Sequence, residues 1–123
     1  MDHVIPSTTA ELGRYGEELA ARYLTRQGMS ILERNWRCPQ GELDILARWG
    51  ATLIAVEVKT RTGARYEPPT AAVDRAKLDR IHACARSWIH HNRNGFARLR
   101  VDILAVVLQS DGRWWLRHHR AVG

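Results

Sequence analysis

The chain has 123 residues, enough for one domain around one core, and its 45% hydrophobic and 26% charged residues are ordinary for a soluble globular protein. Nineteen Lys and Arg against 13 Asp and Glu give a net charge of +6 and a pI near 10.1; nearly all the bases are arginine, so the balance points to a polyanionic partner, most often nucleic acid. No apolar run is long enough for a transmembrane helix, no signal-peptide plan opens the chain, and Cys38 and Cys84 form no close ligand pair, which fits free thiols in a reducing cytoplasm.

Met1 to Pro6 reads as a loose lead-in. Thr8 followed by Glu11 makes a capping box, and the spacing predicts a helix from about Thr9 to Gln27. Leu12, Tyr15, Gly16, Leu19, Ala20, Tyr23 and Leu24 fall on one apolar stripe, and Gly28 closes the helix. Glu17 and Glu18 flank that stripe and read first as solvated surface. Gly13 and Gly16 lower helix propensity, so a close approach of another backbone is expected there.

A first strand is predicted from Met29 to Trp36, with Asn35 beginning its exit and Cys38-Pro39-Gln40-Gly41 turning the chain. Two apolar runs follow, Leu43 to Ala47 and Leu53 to Val58, around a turn at Trp49-Gly50. They read as a β-hairpin. Beyond Lys59, the segment Thr60 to Pro69 reads as a loop that carries Arg61 and Arg65. A second helix is predicted from Ala71 or Asp74 to His91, with Asp74 as its cap and Leu78, Ile81, Ala85, Trp88 and Ile89 as its buried stripe. Leu99 to Leu108 is a long apolar strand whose one acid is Asp102. Ser110-Asp111-Gly112 is a turn, Arg113 to Arg117 a short last strand, and His118 and His119 fall in the tail. One of Trp114 and Trp115 is expected inside, the other over a sheet edge.

The order is α-β-β-β-α-β-β: an α/β domain with a central mixed sheet flanked by helices, its core spanning about residues 9–117. The strands around Glu57 and Leu104, joined through the second helix, should run parallel in a right-handed crossover.

The charge inside the hairpin is the odd feature. Side chains alternate along a strand, so Glu57 and Lys59 share a face. A two-residue turn at Trp49-Gly50 places Glu42 opposite Glu57; a four-residue link places Asp44 there. In either register Asp44, Glu57 and Lys59 lie on one face, unless an odd link or a bulge intervenes. Two carboxylates about 5 Å apart, at an effective dielectric of about 20, repel by roughly 3 kcal/mol. Keeping them together suggests a cation between them, and oxygen ligands favour Mg²⁺ or Mn²⁺. A lysine alongside suits metal-assisted phosphodiester hydrolysis. The competing reading is a same-face surface ion pair with Asp44 as a protective edge charge.

This pattern resembles the PD-(D/E)-x-K nuclease superfamily, which has the restriction-endonuclease-like fold. The match is Asp44 followed by Glu57-Val58-Lys59. More closely, the chain resembles the bacterial YraN-like proteins through Gly13-Arg14-Tyr15-Gly16-Glu17, Asn35-Trp36-Arg37, Gly41-Glu42-Leu43-Asp44, Val56-Glu57-Val58-Lys59-Thr60-Arg61, Ala72-Val73-Asp74 with Lys77, and Arg100-Val101-Asp102-Ile103. The resemblance implies Asp44 and Glu57 as metal ligands, Lys59 as the catalytic lysine and Glu17 as an acid on the first helix. The leading Pro of the superfamily motif is replaced by Leu43. Arg61, Arg65 and Lys77 are then expected to position a phosphate backbone, giving structure-selective or non-specific binding of DNA. The expectation is a Mg²⁺- or Mn²⁺-dependent endonuclease. A non-catalytic nucleic-acid-binding module and a protein-interaction domain are the competing classes. Exposed tryptophans offer a contact for a homodimer.

Overall fold

Three strands in succession, joined by tight turns, can only pair antiparallel, and the next strand arrives after a helix. The computed structural model of the protein, which describes residues 8–63, 74–92 and 95–122, has that plan. The elements are α1 (Thr9–Arg26), β1 (Ser30–Cys38), β2 (Gly41–Trp49), β3 (Thr52–Thr62), α2 (Arg75–Asn92), β4 (Arg98–Leu108) and β5 (Trp114–His119). The order α-β-β-β-α-β-β is as expected. One five-stranded sheet runs β1-β2-β3-β4-β5. Among the described residues, only β3 and β4 pair in parallel.

The helices cover opposite faces of the sheet. Ala20, Ala21 and Leu24 of α1 pack with Ile45, Ala47, Ile54, Val56, Leu104 and Val106. Ile81, Cys84, Ala85 and Trp88 of α2 pack with Leu46, Leu53, Ala55 and Val101. β3 is covered on both sides, which is why Leu53 to Val56 is an unbroken apolar run rather than an alternating one.

The caps are those the sequence announces. Thr8 Oγ1 accepts the Glu11 N–H at 3.1 Å. Gly28, at φ 95°, closes α1 with its own N–H donated to the Thr25 carbonyl and the Met29 N–H to that of Leu24. This paired pattern satisfies the last carbonyls of the helix. Asp74 Oδ1 accepts the Lys77 N–H at 2.8 Å and starts α2. Gly16 is buried against Thr60, where a Cβ would collide with the threonine side chain, so close approach is its reason. Gly13 has nothing within 4 Å, and packing does not account for it.

Several expectations are corrected. β1 continues to Cys38, and Asn35 stays within it at φ 51°. The hairpin turn is Gly50-Ala51, since Trp49 pairs with Thr52. β3 continues through Thr60, Arg61 and Thr62, because β4 offers them a parallel partner as far as Leu108. His118 and His119 belong to β5. Trp114 packs on the α1 face, with its ring centroid 5.0 Å from that of Tyr15. Arg65, with the rest of the segment 64–73, lies outside the described residues.

Candidate active site: two acids and two lysines in an open cleft

The hairpin register decides the site. Ile45 pairs with Val56, so one further step places Asp44 opposite Glu57. Past that step the strands change character. The Asp44 side chain accepts the Val58 N–H at 2.9 Å. Alternation also breaks here. Ile45 and Ala47 face α1 and Leu46 faces α2, so Leu43 should face α1; it packs instead in the α2 cluster, beside its strand partner Trp36. The β1–β2 ladder skips the Asn35–Asp44 pair but keeps its register from Arg34–Ile45 to Trp36–Leu43, its one shift lying between Ile31 and Glu33, and the β2–β3 ladder ends at Ile45–Val56, so the cleft lies at the end of the paired strands.

The cleft has a volume of about 300 Å³ and is lined by Asp44, Glu57, Lys77 and Arg80, with Gly41 and Cys84 among the other walls. Lys77 Nζ lies 3.0 Å from Glu57 Oε1 and Lys59 Nζ 3.8 Å from the same oxygen. All three side chains are mostly buried, Glu57 being 14% exposed. Burial pushes the Asp44 carboxyl from 3.8 up to about 7; the Glu57 charge adds to this, the Val58 N–H opposes it, and the Glu17 charge and a hydrogen bond with Glu57 raise it further. Burial and the adjoining Lys77 lower Lys59. Burial would lower Lys77 as well, but its bonds to Lys59 and Glu57 prevail and raise it.

The structure therefore brings Asp44, Glu57, Lys59 and Lys77 together. Glu17, half-buried on α1, acts on Asp44 through its charge. Arg61 is exposed on β3, close enough for its charge to depress Lys59. Arg80 was not anticipated. It lies one helical turn from Lys77 and lines the same cleft, and that i, i+3 spacing was a signal available in the sequence.

Among the described residues, no group of three or more His, Cys, Asp or Glu side chains converges as a ready cage for a metal ion. The donor chemistry nevertheless fits a hard divalent cation. Mg²⁺ is commonly held by one or two carboxylates and keeps several waters. A carboxyl titrating near 7 carries a proton that such an ion would displace at neutral pH.

A fully buried acid lies away from the cleft, the one acid of the Leu99 to Leu108 strand. Asp102 is 0% exposed. Its oxygens accept two bonds from Arg100 at 2.8 and 2.9 Å, one from His118 Nε2 at 2.7 Å and one from the Ala121 N–H at 2.9 Å. Burial alone would raise its carboxyl, but these donors hold it below the usual range. Arg100 at i−2 on the same strand face is the legible half of this network; His118 lies in β5 just beyond Arg117, where the sequence reading ends that strand.

Among the described residues, no helix is long and apolar enough to cross a membrane. A family model described as "Uncharacterised protein family UPF0102" matches residues 16–106. A UPF0102 protein of Paenarthrobacter aurescens is 47% identical over 111 residues, covering 90% of this chain and 92% of the relative. One of Beutenbergia cavernae is 43% identical over 112 residues, covering 91% and 95%. One of Streptomyces coelicolor is 47% identical over 113 residues, covering 90% and 87%. The family match spans β2, β3 and α2, the elements that build the cleft, and the chain belongs to the UPF0102 family, the YraN-like bacterial proteins that its motifs resemble.

Proposed function

We propose that this protein is a divalent-metal-dependent endonuclease of the cytoplasm, with the restriction-endonuclease-like fold of the PD-(D/E)-x-K superfamily, acting on DNA by structure or without sequence preference. The observation that carries the reading is the convergence of Asp44 and Glu57, two acids from neighbouring strands, in an open cleft with Lys77, and with Lys59 beside Glu57. A structural ion pair has no need of a second carboxylate that is pushed toward neutrality.

Asp44 and Glu57 would hold Mg²⁺ or Mn²⁺, with Glu17 reaching the ion through water. Bound there, the ion supplies Lewis-acid activation of a water and neutralises charge building at phosphorus. Lys59 orients the attacking water or offsets that charge from the β3 side. Lys77, now on Glu57, is placed to transfer to a phosphate oxygen when substrate enters. Arg80 lines the cleft and Arg61 lies exposed on β3 near Lys59, and both suit backbone phosphates, contacts that set position and carry no base information.

The test is incubation with labelled duplex, single-stranded and four-way DNA in Mg²⁺, Mn²⁺ or EDTA. Metal-dependent cutting that Asp44→Ala and Glu57→Ala each abolish supports the proposal. Salt-sensitive binding without cutting would replace it with a binding module. Cutting that survives both substitutions marks a contaminant.

A further inference from the structure

Two cysteines distant in sequence meet beside the cleft. Cys38 ends β1 and Cys84 sits in the middle of α2, and their Sγ atoms lie 2.8 Å apart. Cys84 is 1% exposed, while Cys38 is half-buried and reaches solvent. Disulfide bonds have sulfur separations of about 2.05 Å, so closure needs a shift of under ~1 Å. The contact joins the β1–β2 turn to the helix that carries Lys77 and Arg80, and Cys84 lines the same cleft as Asp44.

We infer that Cys38 and Cys84 form an oxidisable dithiol site, which takes a small disulfide as its oxidant and crosslinks β1 to α2. The accessible Cys38 thiolate attacks one sulfur of the small disulfide and releases the first small thiolate. Cys84, once deprotonated, then attacks the Cys38 sulfur of the mixed disulfide and releases the second. The protein loses two electrons and two protons, and the small disulfide gains both. Cys84 is the slow partner, because burial and the neighbouring Cys38 push its thiol up to about 12. A buried sulfur that a reagent cannot reach, but that touches an accessible one, suits the resolving role.

This inference stands apart from the proposed nuclease activity, since it concerns two thiols and no metal. Its effect on the cleft is mechanical: oxidation fixes α2 against the hairpin that carries Asp44.

The test treats the full chain with oxidised glutathione and maps its peptides under non-reducing conditions. The expected result is a mass lower by two hydrogen atoms and one crosslinked peptide pair holding Cys38 and Cys84, reversed by dithiothreitol and absent from Cys38→Ser. The thermal midpoint of the oxidised wild type should rise by about 10 °C, because the bond closes a long loop. A glutathione adduct that persists on Cys38, crosslinks between chains, or a wild type that stays a dithiol would each overturn the inference. The wild-type map decides this even where a Cys84 variant does not fold.

Discussion

Asp44 and Asp102 are the same residue type, on strands that lie immediately either side of β3, and their surroundings are opposite. Burial raises both carboxyls. Around Asp102, Arg100, His118 and the Ala121 N–H reverse that effect. Around Asp44 the Val58 N–H and the attraction to Lys77 oppose it only in part, while Glu57 and Glu17 add to it. The lesson lies in the donors each acid meets. Asp102 is satisfied by the protein alone and holds the C-terminal segment onto β4. Asp44 stays pushed toward neutrality, and the proposed metal site builds on that property.

The largest effect should come from Asp102→Ala. It strands a half-buried guanidinium, an imidazole and a backbone N–H, and removing the buried centre of such a charge network costs about 3–5 kcal/mol. Urea unfolding should show a loss of that size. A loss under about 1 kcal/mol would erase the contrast between the two acids. Asp44→Asn should act in the opposite direction. The amide oxygen still accepts the Val58 N–H, and the repulsion with Glu57 disappears. Discounted for the partial exposure of the site, a gain of about 1–3 kcal/mol at pH 8 is expected.

The two acids also separate along the pH axis. Asp44 has a folded value near 7 against 3.8 unfolded. Between these values the folded state binds the extra proton, so the Asp44 contribution is fully favourable below about 4 and is lost as pH rises to about 7. Asp102 is lowered, so its contribution is present above 3.8 and is lost as pH falls below that. Subtracting the Asp44→Asn stability profile from that of the wild type should give a downward slope between about pH 4 and 7. A flat difference would mean that Asp44 ionises freely when folded.

Much of the frame was legible in the sequence. Thr8, Gly28 and Asp74 are local signals; they placed the ends of the first helix within a residue and, of the two starts read for the second, Ala71 and Asp74, the capping Asp74 is the one beside the observed start. The shared orientation of Asp44, Glu57 and Lys59 was legible from strand parity, although the skipped pair at Asp44 and Asn35 was not, because it depends on a side chain taking up a backbone donor. The strand at Thr60 to Thr62 reads as loop by composition and becomes strand only because β4 lies beside it. The cysteine contact and the Asp102–His118 pair were hidden for the same reason. Each joins residues that are distant in sequence, and no local pattern sets which meets which.

The smallest effect tests how far the Asp102 network extends. His118 Nε2 donates to Asp102, and Nδ1 accepts the Tyr23 hydroxyl at 3.0 Å when the ring is neutral. Tyr23→Phe keeps the ring, whose centroid is 5.5 Å from that of the imidazole, and removes only the hydroxyl, so about 1 kcal/mol should be lost. The informative quantity is the coupling. In an Asp102→Ala background the imidazole has lost the partner that orients it, and the Tyr23→Phe cost should shrink. In an Asp44→Asn background it should be unchanged, because Asp44 and Tyr23 share no hydrogen-bonding partner among the described residues. A coupling between Asp44 and Tyr23 as large as that between Asp102 and Tyr23 would mean that the two acids, on either side of β3, belong to one electrostatic unit.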